Sequence, residues 1–272
     1  LWKKSMKDYA KTLRRFYDFE GISTRDFKCP KRDECELGVF PRKIHRISEA
    51  HVGTRYGHTV RIVVLTNDTG HKPFDMNNRR KEIEYLDTLE PREVSRHMTA
   101  IESIVRRLLD ETIALPTPVH SYYGICTIAN CMVARDGMDI VPTVLYNNCL
   151  EYLENELFLL EPHLIVSQGS LASSALGIMQ EIDTETLCAI CDGYADESQD
   201  EIDKSLKLAK KYLRVFKYKN GALSYVINVP HPTEINGRWE EFHKNEMFSI
   251  TALANKLIYP NAYYTIPRPI PF

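Results

Sequence analysis

No run of about 18 consecutive apolar residues occurs in the sequence, so no segment reads as a membrane-spanning helix. The opening Leu1-Trp2-Lys3-Lys4 leads into no apolar stretch, so no secretory signal is expected there, and a cytoplasmic location is the expectation. Neither sign of charge dominates: the formal net charge is −2. The total therefore announces no nucleic-acid partner, and any DNA contact has to rest on local basic patches. Without an export pattern the seven cysteines do not read as a disulfide framework; metal or cluster ligation is the expected use of some of them. Internal repeats and low-complexity tracts are also missing. What remains is a chain of 272 residues, 43% hydrophobic and 26% charged. That suits one large α/β domain, or two small ones, with a real core.

The stretch Arg61-Ile62-Val63-Val64-Leu65-Thr66-Asn67-Asp68-Thr69-Gly70-His71 organises the rest. Ile62 to Leu65 is apolar and β-branched, which predicts a strand buried on both faces. It turns abruptly polar at Thr66. In an open parallel α/β sheet, ligands bind beyond the carboxyl ends of the strands. A carboxylate, an amide, a glycine and an imidazole stand there; an Asx turn that only ends the strand is the other reading.

Before it, residues 3–19 alternate basic and apolar residues at helical spacing, an amphipathic helix. Cys29 and Cys35 stand in a charged segment with Pro30, read as a loop whose thiols are poor core residues and better metal ligands. Residues 36–60 read as a loop-rich approach. After the polar turn, Phe74 is either core or a platform on which a base stacks, and Arg79, Arg80 and Lys81 form a local basic patch. Pro91 starts a helix to about Leu109. A second central strand is predicted over 122–129, ended by Asn130-Cys131. A strong helix opens at Thr143 and ends at Glu161-Pro162; His163–Val166 is the next buried strand, followed by a short helix over 170–180. Cys188 and Cys191 sit in a Cys-x-x-Cys spacing, read as a packed turn more than as a metal site. Arg214–Tyr218 and Leu223–Val229 flank Asn220-Gly221, a hairpin signal. The second of these strands runs into Pro230-His231-Pro232-Thr233. A final helix is predicted over about 240–257. Strand, turn and helix in repetition predict a parallel α/β sheet.

Three segments in this order resemble the uracil-DNA glycosylase superfamily, and its iron–sulfur branch in particular. The first is the strand ending in Thr66-Asn67-Asp68-Thr69-Gly70-His71, where the family carries Gly-Gln-Asp-Pro-Tyr-His or Gly-Glu-Ala-Pro-Gly. The second is Cys131, then Cys149, a Leu-rich helix and Glu161-Pro162-His163-Leu164-Ile165-Val166-Ser167-Gln168-Gly169. The third is His231-Pro232-Thr233, similar to the family's His-Pro-Ser. The resemblance spans about residues 25–257. It implies a three-layer α/β/α domain with a mostly parallel central sheet of about four strands, preceded by an N-terminal helix (1–24) and followed by an extended Pro/Tyr-rich tail (258–272).

What the resemblance implies for function follows residue by residue. Cys29, Cys35, Cys131 and Cys149 would ligate a 4Fe-4S cluster, with zinc as the alternative. Asp68 would orient water and stabilise the cationic sugar, and His231 the leaving base anion. Asn67, Gly70 and His71 would line the pocket, Phe74 would stack on a flipped base, Ile235 would fill the vacated stack and Arg238 would hold phosphate. Cys126, Cys188 and Cys191 have no family counterpart. The chain departs from the family at Thr66, where a glycine is usual, and after Asp68, where no proline follows. At the place of the asparagine that reads uracil it has Thr127, a single hydroxyl for a two-sided amide. The expectation is a monomeric DNA glycosylase, with DNA as partner, that removes uracil or another base. That base is expected to be a modified pyrimidine such as those of some viral DNAs, hence a role in repair or antiviral defence. A cluster- or zinc-bearing module that binds DNA without cutting it is the rival reading.

Overall fold

The computed structural model describes residues 8–22, 28–47, 49–58, 60–67, 96–109, 119–133, 142–182, 199–218, 221–232 and 237–262. Nine strands run through them: β1 (Ile44–Ile47), β2 (His51–Val52), β3 (Ile62–Thr66), β4 (Tyr123–Thr127), β5 (Cys131–Val133), β6 (Leu164–Gln168), β7 (Gln180–Ile182), β8 (Leu213–Lys217) and β9 (Leu223–Val229). Seven form one sheet in the order β2-β4-β3-β6-β9-β8-β7, and β1 pairs with β5 outside it.

The middle of the sheet is parallel. β3 lies between β4 and β6, and β6 pairs with β9, all in the same direction. β2 adds an antiparallel strand at one edge; at the other, β8, expected as the first strand of the hairpin, and β7 add two more. At seven strands the sheet is larger than the expected four or so, and β2 and β7, two and three residues long, carry no readable alternation. The hairpin around Asn220-Gly221 forms as expected, with Lys217 opposite Leu223.

Every residue of β3, β4 and β6 is buried, which requires a covering layer on each face. Alternate residues supply the two cores. Ile62, Val64, Ile125, Val166 and Ile227 point to one side, against helices Arg96–Leu108, Gln199–Tyr212, Arg238–Asn245 and Met247–Ala262. Val63, Leu65, Cys126, Ile165 and Val226 point to the other, against helices Tyr9–Phe19, Arg32–Val39, Thr143–Leu160 and Gly169–Ala175. Helices on both faces of the sheet make the α/β/α layering.

The Thr143–Leu160 helix buries Leu145, Cys149, Tyr152, Leu153, Glu156, Leu157 and Leu160, a stripe at three- and four-residue steps. Glu161 ends it in the left-handed region (φ 49°) and its N–H bonds Leu157 O; Pro162 cannot continue the helix. Gly38 lets the Arg32–Val39 helix approach: a Cβ there would stand 2.8 Å from Val144 Cγ1.

Four local expectations are corrected. The segment read as a cysteine-bearing loop is helical from Arg32, and Cys35 is buried within that helix. The loop-rich 36–60 stretch contains β1 and β2. The helix expected over 170–180 ends at Ala175, continues as a 3-10 turn over Leu176–Ile178 and gives way to β7. The single C-terminal helix is two, Arg238–Asn245 and Met247–Ala262. The second of them runs past the expected end, since Ile258 is buried and the Tyr259 hydroxyl donates to Leu108 O (3.0 Å).

Candidate functional site

Parallel pairing puts the carboxyl ends of β4, β3, β6 and β9 on one edge, and polar residues gather there. Thr66 pairs with Thr127, Leu65 with Ser167, and Ser167 with Asn228. The backbone beyond β4 then runs beside β3: Ile128 N donates to Thr66 O (2.9 Å) and Ala129 N to Asn67 O (3.1 Å). His231 follows β9. Gly169, just past β6, has φ +83°, and a Cβ on it would meet His231 Cβ at 3.4 Å. Glycine there both permits the left-handed backbone and leaves room for the imidazole.

Asn67 and His231 therefore leave the same edge with only β6 between their strands. Two strand spacings make the gap between β3 and β9 about 10 Å. Three side-chain oxygens on this edge are buried with no hydrogen-bond partner among the described residues: Asn67 Oδ1, Ser167 Oγ and Asn228 Oδ1. Buried polar atoms without partners cost free energy, so a row of them marks where a polar ligand would supply bonds.

Of the residues expected at this site, Asn67, Thr127 and His231 come together at the edge. Arg238 is exposed at the start of its helix, after Gly237 with φ 73°. Its neighbours Trp239 and Phe242 anchor that helix in the core. Asp68, Gly70, His71, Phe74 and Ile235 lie outside the described residues, as do Cys188 and Cys191. Ser167 and Asn228 were not singled out from sequence; each is a polar residue that interrupts the end of an apolar strand.

A second feature lies on the face covered by the Arg32–Val39 and Thr143–Leu160 helices. Cys29, Cys35, Cys131 and Cys149 all line one open-mouthed cavity of about 350 Å³, counting the solvent at its mouth. Four chain segments deliver them. Cys29 precedes the Arg32–Val39 helix and Cys35 sits inside it. Cys131 opens β5, opposite Ile47 of β1, and Cys149 lies on the Thr143–Leu160 helix. Lys31 Nζ ties the first segment to that helix through Asn148 O and Glu151 Oε2 (3.2 Å each).

All four thiols are free. Burial pushes Cys149 up to about 12 and raises Cys131 and Cys35, with the neighbouring cysteines adding to each. Packed thiols of this kind give up their protons only to a cation placed among them. Two donors already face the sulfurs: Asn148 Nδ2 reaches Cys35 Sγ at 3.3 Å, and the Asn130 N–H points to Cys149. N–H groups aimed at sulfur support metal-bound thiolates. The sulfurs are spread round the wall; among the described residues no group of three His, Cys, Asp or Glu is gathered tightly enough for a single metal ion. Soft donors without carboxylate or imidazole are the donor type of an iron–sulfur cluster, whose several irons take ligands from separate positions; a single zinc ion would need the sulfurs drawn closer together.

Between cavity and sheet edge runs a buried polar chain that the sequence reading missed. The Tyr17 hydroxyl donates to Glu156 Oε1 (2.6 Å), Asn130 Nδ2 donates to the same oxygen (3.2 Å), and Thr127 Oγ1 donates to Asn130 Oδ1 (3.0 Å). Glu156 is fully buried. Burial raises its pKa to about 7, against the pull of hydrogen bonds from Tyr17, Asn130 and Cys126. The signal was visible: Glu156 is the one carboxylate on the buried stripe of a Leu-rich helix. No protein-family model matches the chain, and no curated protein matches it.

Proposed function

We propose that the chain is a DNA glycosylase that hydrolyses the N-glycosidic bond of a flipped-out base, uracil or a modified pyrimidine, and leaves an abasic site. The observation that carries this reading is the shared sheet edge. The strand that ends just before Asp68 and the strand that ends just before His231 are both parallel to β6 and flank it, so both chain segments leave the same edge of the sheet.

In the proposed site the C1′–N bond breaks with its electron pair going to the base. Asp68 supplies negative charge where the sugar becomes cationic and orients the attacking water. Water oxygen bonds to C1′ and its proton leaves to the surroundings. His231 hydrogen-bonds the base carbonyl and stabilises the departing anion. The free polar atoms at Asn67, Ser167 and Asn228 suit the rim of a base pocket, and Phe74 is the ring proposed to stack on the base. Arg238, exposed at the start of its helix, is proposed to meet phosphate.

The cysteine cavity is proposed to hold a 4Fe-4S cluster on Cys29, Cys35, Cys131 and Cys149, with zinc as the alternative occupant. When bound, that group supplies a cross-link between the N-terminal segment, β5 and the Thr143–Leu160 helix; no bond-breaking step passes through it.

The test is a base-release screen on oligonucleotides carrying single uracil, damaged or viral-type modified bases. Release from at least one, with an abasic product, is the expected result. Retention of DNA with release from none would favour a binding module. The substitution of Thr127 where the family has an asparagine gives that rival its footing.

A further inference from the structure

The buried chain from Ala50 to Thr127 has a fixed direction. The Ala50 backbone N–H can only donate, and it donates to the Tyr17 hydroxyl oxygen (2.7 Å). The Tyr17 hydroxyl in turn donates to Glu156 Oε1 (2.6 Å). Asn130 turns its Nδ2 to the same oxygen (3.2 Å), which leaves Asn130 Oδ1 facing Thr127. The Thr127 hydroxyl therefore donates to Asn130 (3.0 Å). A hydroxyl has one proton and two lone pairs, so Thr127 has only lone pairs left to offer. Solvent does not reverse this: Thr127, Asn130 and Glu156 are 7%, 2% and 0% exposed.

Thr127 ends β4 opposite Thr66. The next residue on that neighbouring strand, Asn67, carries a buried Oδ1 with no partner among the described residues. Two adjacent groups at the sheet edge thus carry oxygens with unused lone pairs. An exocyclic amino group offers two N–H donors from one nitrogen, as on cytosine, whereas the corresponding position of a uracil- or thymine-type base is an acceptor. A carbonyl there would face lone pairs. We infer that Thr127, locked as an acceptor by Asn130, is a specificity-determining residue that selects pyrimidines with a 4-amino group over their 4-oxo counterparts. This rests on the glycosylase reading, and Asn130 acts in it as a positioning residue.

The experiment uses single-stranded oligonucleotides in matched pairs. Each pair carries a cytosine-type or a uracil-type base with the same 5-substituent: hydrogen, hydroxymethyl or glucosylated hydroxymethyl. Base release by the full-length protein is timed for both members. The amino member is expected to be released about tenfold faster or more, the worth of one well-placed hydrogen bond. Thr127→Ser keeps the preference and Thr127→Val erases it. Should Thr127→Val fail to fold, the wild-type comparison decides alone. Equal release within pairs, or faster release of the oxo member, overturns the selection by Thr127 and leaves the glycosylase reading standing. Release from no oligonucleotide overturns both.

Discussion

Replacing Glu156 by glutamine should make the protein less sensitive to alkaline pH. The carboxyl is fully buried and its folded-state pKa is raised to about 7 from 4.5, chiefly by desolvation. A raised carboxyl pKa means that the folded protein holds the proton more tightly than the unfolded chain does. Stability from this group is therefore full below the unfolded value, and falls as pH rises through the interval from 4.5 to 7. Each unit is worth about 1.4 kcal/mol, so the loss between pH 5 and pH 8 comes to about 2–3 kcal/mol. Glutamine keeps an oxygen to accept from Tyr17 and Asn130 and has nothing to ionise. Thermal unfolding of both proteins at pH 5 and at pH 8, under identical salt, reads the difference. Glu156→Gln should gain on wild type between the two pH values by roughly 5–10 °C in Tm. Parallel behaviour of the two proteins across that range would refute the reasoning.

Cys131→Ser or Cys149→Ser should strip bound metal and lower Tm, whereas Cys126→Ala should retain it; iron and zinc analysis with the visible spectrum of anaerobically purified protein checks this. A broad brown absorbance identifies the cluster, and colourless zinc-loaded protein removes it. Gly169→Val should cost about 1–2 kcal/mol from the left-handed backbone alone, and should slow any base release by displacing His231, read by denaturant unfolding and by rate. Leu153→Ala, in the core beneath the Thr143–Leu160 helix, should cost about 2–5 kcal/mol in the same unfolding assay.

The central strands were legible because burial on both faces writes them as unbroken apolar runs: Ile62–Leu65, Ile125–Cys126 and Leu164–Val166 need no context. The Thr143–Leu160 helix was legible from its stripe and its Glu161-Pro162 stop. The edge strands were not, since β2 and β7 are too short to show alternation and owe their pairing to neighbours already in place. Cys29 and Cys35 looked like loop residues because Pro30 and four charges surround them. Only tertiary packing on Val144 and Asn148 explains why Cys35 turns inward on a helix. That the four cysteines meet at one cavity could be anticipated only through the resemblance, as spacing alone cannot join segments so far apart. The direction of the Thr127–Asn130–Glu156–Tyr17 chain was out of reach, because hydrogen-bond polarity is a property of three-dimensional contacts.

The most direct measurement is the single-turnover rate of base release by wild type, Asp68→Asn and His231→Ala on the substrate found in the screen. If the two loops border one reacting centre, each variant stays folded and loses about 10²-fold or more in rate, the usual effect of removing one group that stabilises developing charge. Two folded variants that release the base as fast as wild type would contradict the account, whatever the cysteine cavity holds.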